Sequence, residues 1–138
     1  MTIIREYMTK NPLTIRDSET LYDARVLMGD HHIRHLPVIN QESGEVTGIF
    51  TQRDLLACTV SVLADVDEND INEIESGIKI SEVMTRSFVG MQDDDDMLEA
   101  ADYFLDHNHS CLPVFGGATL VGILTEVDFI KLAKKHLS

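Results

Sequence analysis

The sequence is poor in cysteine, in basic residues and in long hydrophobic runs. Its 138 residues include only two cysteines, Cys58 and Cys111, which are far apart and lie outside any CxxC pattern. This spacing argues against a disulfide framework and against a zinc knuckle, so we expect two reduced thiols. No apolar run approaches the roughly 20 residues needed to cross a bilayer, and the N-terminus lacks the hydrophobic region of a signal peptide. We therefore expect a soluble, cytoplasmic protein without membrane insertion.

The scarcity of basic residues excludes one class of partner. Eleven Lys and Arg residues against 24 Asp and Glu residues give a formal net charge of −13. Such a surface repels the phosphates of a duplex, so we expect no binding to a nucleic-acid polymer. A small anionic ligand would need a local pocket of basic side chains and helix N-termini. The 43% of hydrophobic residues suffice for the core of one compact domain or two very small ones.

The sequence contains an internal repeat with two copies. The segment MTKNPLTIRDSETLYDARVLMGDHHIRHLPV, which begins at Met8, aligns without gaps on MTRSFVGMQDDDDMLEAADYFLDHNHSCLPV, which begins at Met84. Further on, GIFTQRD (48–54) aligns on GILTEVD (122–128). We therefore expect repeat 1 over residues 4–60, an acidic linker with a possible helix over 61–80, and repeat 2 over 81–138.

Each repeat predicts the order strand, helix, strand, strand, helix. A short extended stretch (PLTI or FVGM) precedes an amphipathic helix, a hairpin follows, and a second helix begins at each Thr-x-x-Asp. The apolar faces of the amphipathic helices comprise Leu21, Ala24 and Met28 in the first copy, and Met97, Ala100 and Phe104 in the second. A repeat of about 50 residues buries its sheet poorly when alone. We expect an α+β fold in which two β-α-β-β-α repeats pack about a pseudo-twofold axis.

The Thr-x-x-Asp of GIFTQRD has two interpretations. Thr51 can accept from a free N–H group of a new helix while Asp54 reaches back to the threonine N–H, which is typical of a capping box. The same groups also suit a ligand, because a carboxylate offers acceptors to both hydroxyls of a vicinal diol and the helix start favours phosphate. The motif alone favours capping, but its repetition as Thr125 and Asp128 strengthens the case for binding.

The repeated motifs resemble a known family. MTKNPLTI, HLPVIN and GIFTQRD in one copy, with MTRSFVGM, CLPVF and GILTEVD in the other, are similar to a tandem pair of CBS domains, the Bateman module. The resemblance spans about Ile4 to Leu132. It implies a non-catalytic, energy-sensing regulatory module whose clefts between repeats bind AMP, ADP, ATP or S-adenosylmethionine as a regulatory ligand, with no obligatory cofactor. It also implies a homodimer and an unknown protein partner that is regulated in trans.

The resemblance also assigns residues to the nucleotide sites. The threonine of each Thr-x-x-Asp touches ribose or phosphate, the aspartate accepts from the ribose hydroxyls, and the first strand of each repeat contacts adenine. The expected nucleotide-binding residues are Thr14, Ile15, Arg34, His35, Thr51, Arg53 and Asp54 in the first copy, and Gly90, Met91, Ser110, Cys111, Thr125 and Asp128 in the second.

The two copies differ in charge at these positions. Where the first copy has Arg34, His35 and Arg53, the second copy has uncharged residues. We therefore expect the site served by the first Thr-x-x-Asp to be the better nucleotide site, and the other to be weaker, limited to adenosine, or empty.

Three further clusters have a structural and a functional interpretation. The histidines of HHIRH (31–35) and HNH (107–109) could bind a metal, but they lack the paired spacing of a zinc motif, so we expect no metal site. DDDD (93–96) suits either magnesium beside a phosphate or, as the helix dipole favours, a solvated helix start. The acidic connection from Asp65 to Ser81 is either a linker with a helical turn or a partner-binding element.

Three classes of function follow from the sequence. The chain is a ligand sensor, a structural dimerisation module whose clefts are filled by side chains, or an enzyme. No set of nucleophile, base and acid and no glycine-rich phosphate loop is present, so we expect no catalytic residues. The sequence leaves open which adenosine ligand binds and which partner is regulated.

Overall fold

A computed structural model describes residues 1–64 and 67–138 of the chain. Its contacts divide the chain into two compact units. The central unit comprises residues Leu13–Ser87, and the terminal unit combines Met1–Pro12 with Phe88–Ser138. Each unit contains helices and a small sheet, so the predicted α+β class is confirmed. In the described residues, no helix is long and apolar enough to span a bilayer.

The central unit contains a three-stranded sheet and two helices that follow the predicted order. The elements are β2 (Ile15–Arg16), α1 (Leu21–His31), β3 (His35–Ile39), β4 (Val46–Thr51) and α2 (Gln52–Leu63). The sheet has the order β2-β3-β4, in which β3 is parallel to β2 and antiparallel to β4. The hairpin of β3 and β4 places Leu36 opposite Phe50, and both of these side chains are buried.

The terminal unit repeats this order and adds a strand from the N-terminus. Its elements are a 3-10 helix (Ile4–Glu6), β1 (Thr9–Lys10), β5 (Met91–Gln92), α5 (Met97–Asp106), β6 (Cys111–Gly116), β7 (Thr119–Thr125) and α6 (Glu126–Leu137). The sheet has the order β1-β7-β6-β5. The strand-helix-strand-strand-helix order is therefore confirmed in both copies.

The predicted helix faces form the two cores. In the central core, Leu21 and Ala24 are fully buried, and Met28 is 6% exposed. In the terminal core, Met97 and Ala100 are buried, and Phe104 packs against them from a half-buried position. The remaining buried residues of the central core are Ile15, Leu36, Val38, Phe50, Leu55, Ile80 and Met84, and those of the terminal core are Ile4, Leu112, Val114 and Leu124.

Each unit is completed by a Met-Thr segment that stands at the start of a sequence repeat. Thr9 lies opposite Ile123 of β7, and Thr85 exchanges two backbone N–H···O bonds of 2.9 Å with Ile49 of β4. The glycine of each Gly-Ile motif permits this approach. A Cβ atom on Gly48 would lie 2.8 Å from the carbonyl oxygen of Thr85, and the same holds for Gly122 and Thr9. The sequence repeats and the compact units are therefore different divisions of the chain.

The described part of the acidic connection is largely helical. It forms a 3-10 helix (Glu68–Asp70), α3 (Ile71–Glu75) and α4 (Ile80–Val83), while Asp65 and Val66 lie outside the described residues. The side chain of Glu75 is fully buried and accepts hydrogen bonds of 3.0 and 3.1 Å from Nε of Arg25 on α1. This ion pair connects α3 to α1, and the acidic connection belongs to the central unit.

The four aspartates before α5 form a helix start and a docking point for the N-terminus. Asp96 is the N-cap of α5 and accepts from the N–H of Leu98 at 3.0 Å. Asp93 accepts from Nε of Arg5 at 3.1 Å, and this guanidinium lowers the pKa of the Asp93 carboxyl. The predicted helix start is confirmed.

Candidate functional site

The start of α2 carries a complete capping box. Oγ1 of Thr51 accepts from the N–H of Asp54 at 3.1 Å, and Oδ2 of Asp54 accepts from the N–H of Thr51 at 2.9 Å. The capping interpretation of GIFTQRD is therefore confirmed. Both side chains are nevertheless only half-buried, so the Asp54 carboxylate remains near solvent at this end of the sheet.

Two arginines flank this helix start. Arg53 is an exposed residue in the first turn of α2, and Arg34 is an exposed residue just before β3. The chain places Arg34 here because His35 lies opposite Thr51 in the hairpin and the carbonyl of Arg34 accepts from the N–H of Gln52 at 2.9 Å. A carboxylate, a helix N-terminus and two guanidinium side chains thus share one end of the central unit.

The first strand of the central unit supplies the remaining predicted residues. Thr14 is exposed and directly precedes β2, whose Ile15 lies opposite Val38 of β3. Because Ile15 is 1% exposed and packs in the core, only its backbone is available for contact with a ligand. All seven residues predicted from the first copy belong to the central unit, and their role as ligand contacts stays a prediction.

The predicted residues of the second copy all belong to the terminal unit. Gly90 directly precedes β5, and a Cβ atom there would lie 2.5 Å from the ring of Phe115. Met91 is half-buried and Ser110 is exposed. Cys111 is 6% exposed, and burial, helped by the nearby Asp128 charge, raises the pKa of its thiol to about 12. This thiol is protonated at neutral pH and unsuited to nucleophilic chemistry.

The two aspartates of the Thr-x-x-Asp motifs lie in different environments. Asp128 accepts from the N–H of Thr125 at 2.8 Å, as Asp54 does from Thr51, but it is only 1% exposed. Burial raises the pKa of Asp128, while the bond from Thr125 and the charge of Lys131, whose Nζ lies 3.9 Å from Oδ1, oppose the rise. The terminal unit therefore holds a buried carboxylate where the central unit presents a half-buried one.

Thr85 is a residue of this site that is absent from the predicted set. Its hydroxyl lies 3.3 Å from both carboxylate oxygens of Asp54. The signal in the sequence is the Met-Thr pair that starts both aligned segments, at residues 8–9 and 84–85. Among the residues that the structure describes, no three His, Cys, Asp or Glu side chains are grouped so that they could hold a metal ion.

Known proteins of similar sequence and structure share the paired arrangement. One such structure is that of AcuB from Vibrio cholerae, for which a role as an acetoin utilization protein is suggested. It is 33% identical in sequence and has a TM-score of 0.83. The match covers 99% of this chain and 95% of that chain. A second is the CBS domain pair of protein MJ0100, which was solved in complex with 5′-methylthioadenosine and S-adenosyl-L-methionine. It is 26% identical in sequence and has a TM-score of 0.78, and the match covers 99% of this chain and 98% of that chain.

A curated relative is much longer than this chain. Homoserine O-acetyltransferase of Methanococcus vannielii is 35% identical over 112 residues, which make up 81% of this chain and 20% of that enzyme. This chain therefore spans about a fifth of the length of that relative.

The family is shown by the match of a whole-domain model to both halves of the sequence. The CBS domain model matches residues 4–60 and again residues 80–135, which together are most of the chain. These two matches coincide with the two copies of the strand-helix-strand-strand-helix order. The chain belongs to the CBS domain family, as a tandem pair of CBS domains.

Proposed function

We propose that this chain is a regulatory module that binds an adenosine-containing ligand at the Thr51–Asp54 end of the central unit. The observation that carries the proposal is the half-buried Asp54 carboxylate at the start of α2, with the exposed residues Arg34 and Arg53 at the same helix start. The capping box uses Oδ2 of Asp54, which keeps the carboxylate in a fixed orientation. This arrangement offers an acceptor and positive charge within one short stretch of structure.

The chemistry of the site suits a nucleoside with a negatively charged group. A carboxylate accepts from the two hydroxyls of a ribose, and charge makes these hydrogen bonds stronger than neutral ones. The N-terminus of the 12-residue helix α2 carries partial positive charge, which favours phosphate or carboxylate. The guanidinium groups of Arg34 and Arg53 add paired hydrogen-bond donors for an oxyanion.

The related structures support a ligand of this class. Both molecules bound by the MJ0100 pair, 5′-methylthioadenosine and S-adenosylmethionine, contain adenosine and therefore a ribose diol. We extend this class to the present chain, with AMP, ADP, ATP and S-adenosylmethionine as the ligands to test. The basic residues beside Asp54 favour the phosphate-bearing members of this panel.

We propose that binding regulates another protein. In homoserine O-acetyltransferase the matched region is one fifth of an enzyme, so the remaining four fifths have room for the catalytic residues. In this proposal the module acts as a non-catalytic sensor on a separate partner, through differences in ligand affinity between two states of the module. The partner and the cytoplasmic location stay predictions.

The test is a ligand panel read by calorimetry and thermal unfolding. A ligand that binds only the folded protein stabilises it by about 2.7 kcal/mol at 100 times its dissociation constant. At least one of AMP, ADP, ATP and S-adenosylmethionine should therefore raise the melting temperature. No binding across the panel would contradict the proposal.

Arg53→Ala tests the phosphate contact within the same panel. It should weaken AMP binding more than adenosine binding, because only AMP has a phosphate for the guanidinium to pair with. Arg16→Ala is the matched control, since Arg16 is also exposed but lies opposite Ile39 at the far end of β3. Equal losses for AMP and adenosine in the Arg53 variant would remove Arg53 from the phosphate site.

A second candidate function, a structural dimerisation module, is favoured by exposed apolar side chains on α2. Leu56 and Val60 lie one turn apart on this helix and are 59% and 66% exposed. Apolar residues at such spacing are typical of a helix face that packs against another helix. Light scattering should then give twice the monomer mass of 15.5 kDa, and Leu56→Asp should shift the mass towards the monomer. A monomer at all concentrations would contradict this function.

A further inference from the structure

The hydroxyl of Thr85 is held against the Asp54 carboxylate by backbone contacts. Thr85 exchanges two N–H···O bonds of 2.9 Å with Ile49, two residues before the Thr51 cap. The missing side chain of Gly48 allows this approach, because a Cβ atom there would lie 2.8 Å from the Thr85 carbonyl oxygen. The position of the hydroxyl is therefore set by β4, the same strand that leads into the Thr-x-x-Asp motif.

The contact from Thr85 is the longer of two contacts on this carboxylate. The N–H of Thr51 donates to Oδ2 at 2.9 Å, whereas the Thr85 hydroxyl is shared between Oδ1 and Oδ2 at 3.3 Å from each. Bonds between a hydroxyl and an oxygen acceptor have a usual length of about 2.7–2.8 Å. A better placed hydroxyl can therefore replace Thr85 without disturbing the cap.

We propose that the Thr85 hydroxyl occupies, in the free protein, the place on the Asp54 carboxylate that a ribose hydroxyl takes when a ligand binds. This inference rests on the proposed function and names a regulation of the same site. The Thr85 hydroxyl is an internal substitute for the ligand: it satisfies the carboxylate when the site is free and is displaced on binding. The affinity for the ligand is lower by the free energy of the displaced bond.

The orientation of the Asp54 carboxylate does not depend on Thr85, so removal of the Thr85 hydroxyl should strengthen AMP binding and not weaken it. The Thr51 N–H bond already orients Asp54 from the helix backbone, so loss of the hydroxyl leaves the carboxylate in place. The variant loses a donor that the free protein has and the complex does not need. Thr85→Val should therefore destabilise the free protein and tighten AMP binding by about 2- to 10-fold. This is the range of one neutral hydrogen bond, because a hydroxyl 3.3 Å from both oxygens donates more weakly than a well-placed donor to a charged group.

The experiment compares four proteins with two nucleotides. Wild type, Thr85→Val, Thr85→Ser and Thr9→Val are titrated with AMP and with 2′,3′-dideoxy-AMP in a calorimeter. Valine keeps the shape of threonine and the backbone bonds to Ile49, and serine restores the hydroxyl. Thr9 is the matched control because it occupies the equivalent place opposite Ile123 in the terminal unit.

The expected result is a gain that depends on the ribose hydroxyls. Thr85→Val should bind AMP about 2- to 10-fold more tightly than wild type and bind the dideoxy nucleotide with unchanged affinity, because the latter brings no hydroxyl to the carboxylate. Thr85→Ser and Thr9→Val should behave as wild type. A purely structural role for Thr85 would lower thermal stability and change the two nucleotide affinities equally.

The outcomes separate the inference from the proposed function. If wild type binds AMP and Thr85→Val binds it equally or more weakly, the inference is wrong and the proposed function stands. An equal gain for AMP and dideoxy-AMP would also overturn the inference. If wild type binds no AMP, the inference is overturned, and the proposed function then depends on the other three members of the ligand panel.

Discussion

Asparagine substitutions at the two aspartates separate ligand binding from helix capping. Asparagine keeps the size of aspartate and one oxygen that can accept from the cap N–H, which lies 2.9 Å from Asp54 and 2.8 Å from Asp128. It removes the negative charge and replaces the second acceptor by an amide donor. Both helix caps should therefore survive, while a site that needs two acceptors and a charge should not.

For Asp54 the effect should appear in affinity. A hydrogen bond to a charged group contributes about 1.5–3 kcal/mol, so Asp54→Asn should weaken AMP binding by about 10- to 150-fold. The folded state should lose only about 0–1 kcal/mol, since the capping bond from Thr51 can still form. Affinity and stability thus respond by different amounts to the same change.

For Asp128 the effect should appear in the pH dependence of stability. Burial raises the pKa of Asp128 in the folded state. The protonated carboxyl therefore contributes stability that is fully present below the unfolded pKa of about 4. This contribution is lost as the pH rises through the higher pKa of the folded state. Asp128→Asn stays neutral and avoids this loss. Relative to wild type, the variant should gain stability between about pH 4 and pH 7, and its affinity for AMP should change by less than about 2-fold.

Two measurements check these expectations. Calorimetric titration with AMP gives the affinities, and urea unfolding at about pH 4 and about pH 7 gives the free energies of unfolding. Equal losses of affinity in the two variants would refute the assignment of the ligand to the central unit. Wild-type affinity in Asp54→Asn would leave the first Thr-x-x-Asp with a capping role alone. A relative loss of stability in Asp128→Asn as the pH rises would refute the argument from burial.

Two further predictions concern contacts that complete the central unit. Gly48→Ala should lower the free energy of unfolding by about 2–4 kcal/mol, because its Cβ would overlap the paired Thr85 backbone. The control Gly29→Ala, in open space on α1, should instead raise it by about 0.5–1 kcal/mol. Urea or thermal unfolding measures both, and a Gly48 variant as stable as wild type would contradict the close approach of Thr85 to Gly48. Arg25→Ala should lower the free energy of unfolding by about 3–5 kcal/mol, because it leaves Glu75 buried without its cation. Glu75→Ala should lower it less, because the Arg25 side chain is 37% exposed and can be hydrated. A larger loss in the Glu75 variant than in the Arg25 variant would contradict this account of the ion pair.

Local patterns predicted the elements because each element is specified by neighbouring residues. The helix that contains Leu21, Ala24 and Met28 has its apolar side chains at helical spacing, and all three are buried as expected. The capping role of Thr51 and Asp54 was equally readable, since both partners lie within four residues. Such signals do not depend on the rest of the chain.

Contacts between distant segments were not predicted, because no local pattern encodes them. Glu75 stands in an acidic stretch that resembles a solvated linker, yet its pairing with Arg25, 50 residues away, buries it completely. The contact of Thr85 with Asp54 spans 31 residues and depends on the backbone pairing of Thr85 with Ile49. In both cases the decisive partner is supplied by tertiary packing.

The same four-residue motif has become two chemically different sites. In both copies the aspartate three residues after the cap reaches back to the threonine N–H, so the capping bond itself is the same in the two copies. The surroundings then decide what the carboxylate can do. Asp128 is 1% exposed, and burial raises its pKa, so the charged form of this carboxylate is disfavoured. Asp54 is half-buried, carries its cap on one oxygen and lies 3.3 Å from the Thr85 hydroxyl, so the exchange proposed for this hydroxyl would leave the helix start intact.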